Sequence, residues 1–87
     1  MDDDIQQRIN QSIGLLKTIA EDNSVPRNIR RAANEAIDVL EHGEGTPAVR
    51  AQNAISILDD PSQDPNCPSH ARTRIWNVSS ILETIRD

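Results

Sequence analysis

The chain has 87 residues, a formal net charge of −5 and a single cysteine, Cys67. That length makes one domain with a thin core, which buries roughly 60–65% of the surface the unfolded chain exposes; with no Phe or Tyr and only Trp76 as an aromatic, Ile, Leu, Val and Ala must fill it. The acidic balance counts against broad electrostatic binding to nucleic acid, one cysteine excludes an internal disulfide and suits a reducing cytoplasm, and no apolar run approaches the roughly 18–20 residues of a membrane span.

The opening segment, MDDDIQQ, is acidic and reads as neither a signal nor a transit peptide. A first helix is expected over 4–21, with Asp4 as its cap and Gln7 reaching back to it. Ile5, Ile9, Ile13, Leu16, Ile19 and Ala20 recur on one stripe at helical spacing, with Leu15 at its edge and Gly14 on the opposite face.

Pro26, Pro47 and Pro68 stand 21 residues apart, and each opens an apolar-periodic run. Proline has a helical φ and lacks a donor that the first turn would leave unpaired, so the three mark helix starts. The second helix is expected over 26–41, with a stripe of Ile29, Ala32, Ala33, Ala36, Ile37, Val39 and Leu40, ended by Gly43 and Gly45. The third is expected over 47–59, capped by Thr46 and facing inward through Ala48, Ala51, Ala54, Ile55 and Leu58. It should stop before Asp60-Pro61, because the residue before proline avoids the helical region. The run DPSQDPNCP then forms a stiff turn, and the fourth helix spans 68–86 with Ala71, Ile75, Val78, Leu82 and Ile85 inward.

Four amphipathic helices with short connections predict an all-α, antiparallel up-down-up-down four-helix bundle in a single domain, 1–87. The rival is a short α-solenoid, since a period of 21 could be half of a two-helix repeat. Three or four helices are too few for a stacked array, so the bundle is preferred.

In such a bundle one end collects Arg27, Arg30, Arg31, Arg72 and Arg74, together with Glu21, Asp22, Asp59, Asp60 and Asp64. The arginines stand at helix N-termini, the wrong sign for the helix dipole. The preferred expectation is pairing with acids of neighbouring helices; the alternative is that Arg27, Arg30 and Arg31 bind an external anion, because arginine forks match phosphate well. Trp76 lies off the apolar stripe of the fourth helix, beside Arg72, Ser79 and Glu83. It either covers the edge of the core or a loop, or anchors an interface, where Trp and Arg are over-represented. Asn34, Asn53 and Asn77, inside three helices, are expected to make structural polar contacts.

The chemistry-bearing patterns are sparse. Cys67 and His70 have a C-x-x-H spacing, but half a zinc site is no zinc site, and a nucleophilic Cys–His pair has no orienting third group. Calcium loops and glycine-rich phosphate loops are missing from the sequence. No catalytic residue, metal or cofactor is therefore expected, and the chain is read as a non-enzyme.

The stretches SVPRNIRRAANEAIDVL, TPAVRAQNAISIL and QDPNCPSHARTRIWNVSSILETI together resemble a family of small archaeal proteins, uncharacterised protein family 0147. Pro26, Arg27, Arg30, Arg31, Pro47, Arg50, His70, Arg72 and Trp76 carry the motifs, and the resemblance spans about 13–87. It implies an all-α four-helix bundle in an archaeal cytoplasm and no particular activity. The expectation is a cytoplasmic interaction module that docks on an unidentified protein partner or on itself as a homodimer, using Arg27, Arg30, Arg31, Arg72 and Trp76. The alternative is an RNA- or ribosome-associated factor using the arginine end, which the net charge and the lack of stacking aromatics disfavour.

Overall fold

The computed structural model describes residues 2–86. Four helices follow in order: α1 (Asp2–Ala20), α2 (Arg27–His42), α3 (Pro47–Gln63) and α4 (Ser69–Glu83). Each packs on the next and α4 closes back on α1, so the helices form a ring around one core. The bundle measures 37 × 19 × 19 Å. The four-helix expectation holds, and the 21-residue spacing belongs to this bundle rather than to a stacked array.

The apolar stripes meet inside it. Ile9, Ile13, Leu16 and Ile19 of α1 pack with Ile29, Ala33, Ala36, Ile37 and Leu40 of α2. Ala51, Ala54 and Leu58 of α3 join Ala71, Ile75, Val78 and Leu82 of α4, and Ile85 seals the chain just after the last helix. Three inward residues were not legible from the stripes. Ser12 is fully buried and its hydroxyl donates to the Arg8 carbonyl at 2.9 Å. Val25 and Cys67, the residues before Pro26 and Pro68, are also buried and belong to the core.

Several boundaries differ from the expectation, each for a local reason. Helix α1 begins at Asp2, so Asp4 lies within it; instead of capping, Asp4 pairs with Arg8 one turn on, at 2.9 Å. Pro26 and Pro68 are N-caps rather than first helical residues, with ψ of 149° and 148°. Their carbonyls accept from Arg30 and Arg72. Only Pro47 takes the first helical position, behind Thr46, whose side chain accepts from the Val49 amide. Helix α3 continues through Asp60-Pro61 to Gln63. Pro61 stands in the last turn, where the single donor it removes is lost near a terminus that frays anyway. The Ser62 hydroxyl donates to the Asp59 carbonyl at 2.7 Å and the Asp64 amide to the Pro61 carbonyl at 3.3 Å, which tightens that end. Helix α4 stops at Glu83, short of 86, where the Thr84 hydroxyl donates to the Ile81 carbonyl. Asn34, Asn53 and Asn77 are exposed and do not make the cross-helix contacts expected of them.

An offset of 42 residues relates the hairpin α1–α2 to the hairpin α3–α4. It matches Leu16 to Leu58 and Leu40 to Leu82, and it matches the two loops that turn each hairpin. Asp22 begins one loop and Asp64 the other. The Val25 amide donates to the Asp22 carbonyl at 3.1 Å, and the Cys67 amide to the Asp64 carbonyl at 2.9 Å. Arg8 and Arg50 are matched as well. Arg8 donates to the Thr84 carbonyl at the end of α4 (3.2 Å), and Arg50 to the Leu40 carbonyl at the end of α2 (2.9 Å). Each guanidinium thus meets a helix C-terminus, where a cation suits both the unpaired carbonyls and the dipole.

The glycines separate two opposite outcomes. At Gly14 a Cβ would meet nothing within 4 Å, whereas Gly45 has a φ of 97° and a Cβ there would approach Val49 Cγ1 at 3.0 Å. Gly14→Ala should stabilise the fold by about 0.5–1 kcal/mol. Gly45→Ala should destabilise it, since the left-handed conformation penalises any Cβ by roughly 1–2 kcal/mol. Urea denaturation of the two variants beside wild type reads both signs.

Candidate functional site

Two surfaces carry the residues singled out from the sequence, and they lie on different helices. The first is a cleft of about 590 Å³ beside the end of α1, lined by Ala20 with Arg27, Arg30, Arg31, Asn34, Glu35 and Asp38 of α2. The second is the outer face of α4, where Trp76 is 57% exposed.

The expected pairing of the arginine end does not form. Among the described residues the ion pairs are Arg8–Asp4 and Asp22–His70. None involves Arg27, Arg30, Arg31, Arg72 or Arg74. Two acids of this end, Asp22 and Asp64, are engaged in holding loops. Asp22 accepts from the amide and hydroxyl of Ser24 at 2.9 and 2.6 Å, and its other oxygen lies 2.9 Å from His70 Nε2. Asp64 accepts from the Asn66 amide at 2.8 Å and from the Asn28 side chain at 3.0 Å. A short loop closes more readily on its own backbone donors than on a long side chain from a neighbouring helix, whose ordering costs entropy.

Arg72 is diverted in the same way. Its guanidinium donates to the carbonyls of Asp64 and Cys67 at 3.2 and 3.5 Å, bracing the α3–α4 loop from within. It is half-buried and braces the fold. The 42-residue offset matches it to Arg30, and both, like Arg50, have a buried Nε with no partner among the described residues. The terminal nitrogens differ. Arg72 uses one on its loop, while no side-chain hydrogen bond holds Arg30 among the described residues. A buried donor left without a partner costs roughly 1–3 kcal/mol. Placing three cations at the N-terminal turns of α2 adds about 0.3–1 kcal/mol each in unfavourable dipole interaction. The cleft thus concentrates uncompensated positive charge at one end, and Glu35 and Asp38 make the other end acidic. Sequence reasoning separates these two acids from the arginine end, although their positions four and seven residues beyond Arg31 put them on its face.

On α4, more than half of Trp76 meets solvent. Among the described residues Val49, in the first turn of α3, is the other exposed large hydrophobic residue. Cys67 and His70 part company. Cys67 is buried in the core, where desolvation pushes its thiol above the ordinary range despite the charge of Arg72, and His70 points outward to Asp22. No helix among those described is long and apolar enough to cross a membrane.

A family model of uncharacterised proteins, UPF0147, matches residues 1–85. The chain belongs to that family. Within UPF0147 it is 60% identical to a protein of Saccharolobus solfataricus and 60% identical to one of Metallosphaera sedula, each comparison covering 97% of this chain and 94% of the relative. A UPF0147 protein of Desulfurococcus amylolyticus is 52% identical, over 97% and 92%. These relatives are archaeal. The crystal structure of the unknown-function protein MMP1188 superposes with a TM-score of 0.88 at 46% identity, covering 92% of this chain and 91% of that one. That of a UPF0147 protein from Thermoplasma acidophilum gives 0.85 at 31% identity, covering 93% and 95%. The bundle is therefore the UPF0147 fold, and the family has no established function.

Two measurements follow from the loop chemistry. Hydrogen bonds from Ser24, then the His70 contact, hold Asp22 down from 3.8 to about 2. A carboxylate with a lowered folded pKa stabilises the fold above its unfolded value, and that contribution is lost as pH falls through the folded one. Between pH 4 and 2 the urea midpoint of wild type should fall more steeply than that of Asp22→Asn. The Cys67 thiol should react slowly with an aromatic disulfide reagent in the native protein and quickly in denaturant, because burial disfavours the thiolate that attacks.

Proposed function

We propose that this UPF0147 protein is a non-enzymatic interaction module that docks on a protein partner through the outer face of α4, with Trp76 as the anchor. The observation that carries this reading is the exposure of the one aromatic residue, at 57%, where the other large hydrophobic residues described, Val49 apart, are buried or partly buried. An indole left in water forgoes the burial that dominates aromatic energetics, and tryptophan recurs at the centre of interface hot spots. The flanking Ser69, Thr73, Ser80 and Glu83 are exposed and polar, the composition of an interface rim. The aliphatic core and a buried, deactivated thiol support the non-enzymatic part of the reading. A single buried cysteine suits the cytoplasm.

The second reading, an RNA- or ribosome-associated role at the arginine end, draws on arginines without carboxylate partners. A net charge of −5, the acidic half of the cleft and the placement of the sole aromatic on α4 weigh against it.

Trp76→Ala separates the partner-docking role from a structural one. The variant should keep the helicity and melting cooperativity of wild type and lose the protein that tagged wild type recovers from archaeal lysate. Equal recovery by both removes Trp76 from the interface, and a collapse in stability makes it a structural residue. Light scattering across a concentration series tests the homodimer: if the partner is a second copy, wild type should dimerise, with a blue shift of Trp76 emission, and Trp76→Ala should remain monomeric.

A further inference from the structure

We infer that the cleft of Arg27, Arg30 and Arg31 is a binding site for a compact phosphate-type oxyanion, either free phosphate or the phosphoryl end of a small molecule. This goes beyond the docking role of Trp76, which lies on α4, away from the cleft. Three observations meet there. The arginines line one concavity of about 590 Å³ without being spread over a surface. None of the three is paired with a carboxylate among the described residues, although acids were available at this end. Arg30, Arg50 and Arg72 each have a buried Nε without a partner among the described residues, but Arg50 and Arg72 each spend a terminal nitrogen on backbone carbonyls, whereas no hydrogen bond among the described residues holds those of Arg30.

A guanidinium in that condition lacks acceptors, and a tetrahedral oxyanion supplies several to adjoining forks at once. The same anion would neutralise the positive charge crowded at the N-terminal turns of α2.

The geometry also selects the size of the ligand. Arg27 to Arg31 span little more than one helical turn, and Glu35 and Asp38 line the cleft beyond them. Asp38 is eleven residues past Arg27, about 16 Å along the helix. A phosphate polymer lying along α2 would bring its next charges against these carboxylates. No aromatic lines the cleft for a base to stack on. A single compact dianion satisfies the arginines without meeting the acids.

The test is titration of the full chain at low ionic strength, in buffer free of competing oxyanions, with inorganic phosphate, glycerol 2-phosphate and a short oligouridylate in parallel. Calorimetry gives the affinity, and the Arg Nε–H resonances report which side chain responds. Phosphate or glycerol 2-phosphate should bind and move the Arg30 Nε–H signal; the tighter of the two identifies free phosphate or a phosphoryl group as the source. Arg30→Gln should weaken binding by about tenfold or more, the scale of a lost charge-assisted hydrogen bond. Arg31→Gln, at an exposed position that leaves the core untouched, carries the same expectation in a smaller amount if Arg30→Gln unfolds the protein. Arg74→Gln should leave binding unchanged. Failure of both small anions to bind overturns the inference. So does binding that survives the Arg30 and Arg31 substitutions, or an oligouridylate that binds tighter per phosphate than the small anions.

Discussion

No side chain in this core is larger than leucine or isoleucine, and that limit on volume governs the rest of the bundle. Without Phe or Tyr to span a gap, the helices must approach closely, and alanine at 33, 36, 51, 54 and 71 lets them do so. The two hairpins share the volume unevenly. Ile9, Ile29 and Ile75 are matched by Ala51, Ala71 and Ala33 at equivalent places in the other hairpin. Large and small side chains alternate between equivalent sites, which is how a close-packed interior is filled without voids. A core assembled this way has little tolerance for a cavity, and a deep pocket is correspondingly difficult to accommodate. The concavities of the molecule lie on its surface, between helices.

The ends of such a narrow bundle need as much attention as its middle. Val25 and Cys67 plug one end, each carried inward by an aspartate-led loop and a following proline. The opposite end is held by Arg8 and Arg50, which reach across to the C-terminal carbonyls of α4 and α2. Polar groups therefore do structural work at both ends while the aliphatic stripes fill the centre. The fold uses Asp22 and Asp64 for loops and Arg8 and Arg50 for helix termini, and the charges of the α2 cleft have no such duty.

Much of this was legible in the sequence. Helical spacing identified nearly all of the inward-facing residues, and prolines 26, 47 and 68 marked three helix starts to within a residue. The failures share a cause. Pro61 was read as a stop because local preference forbids its predecessor a helical backbone, yet a proline in the final turn gives up only one hydrogen bond. Asp4 was read as a cap because its side chain suits one, but the helix had already begun. Ser12, Val25 and Cys67 carry no periodic signal, since a serine bonded to its own helix and residues in turns are buried for reasons of three-dimensional closure. The candidate surfaces were legible as residue types and not as an arrangement. Arg27, Arg30, Arg31 and Arg72 look alike along the chain, and only the loop carbonyls within reach of Arg72 distinguish it. Glu35 and Asp38 became part of the cleft once the end of α1 was in place beside them.

The 42-residue offset has a bearing on how a protein this small can acquire specificity. Two separate identical hairpins would be bound to use each side chain identically, so that any residue needed for closure would be needed twice. Fusion into one polypeptide lifts that obligation. At the matched pair of Arg30 and Arg72, the second braces its loop and the first makes no such contact among the described residues. Outside the core, where paired large and small side chains answer to packing, asymmetry between equivalent positions is thus a place to look for adaptation in such a chain.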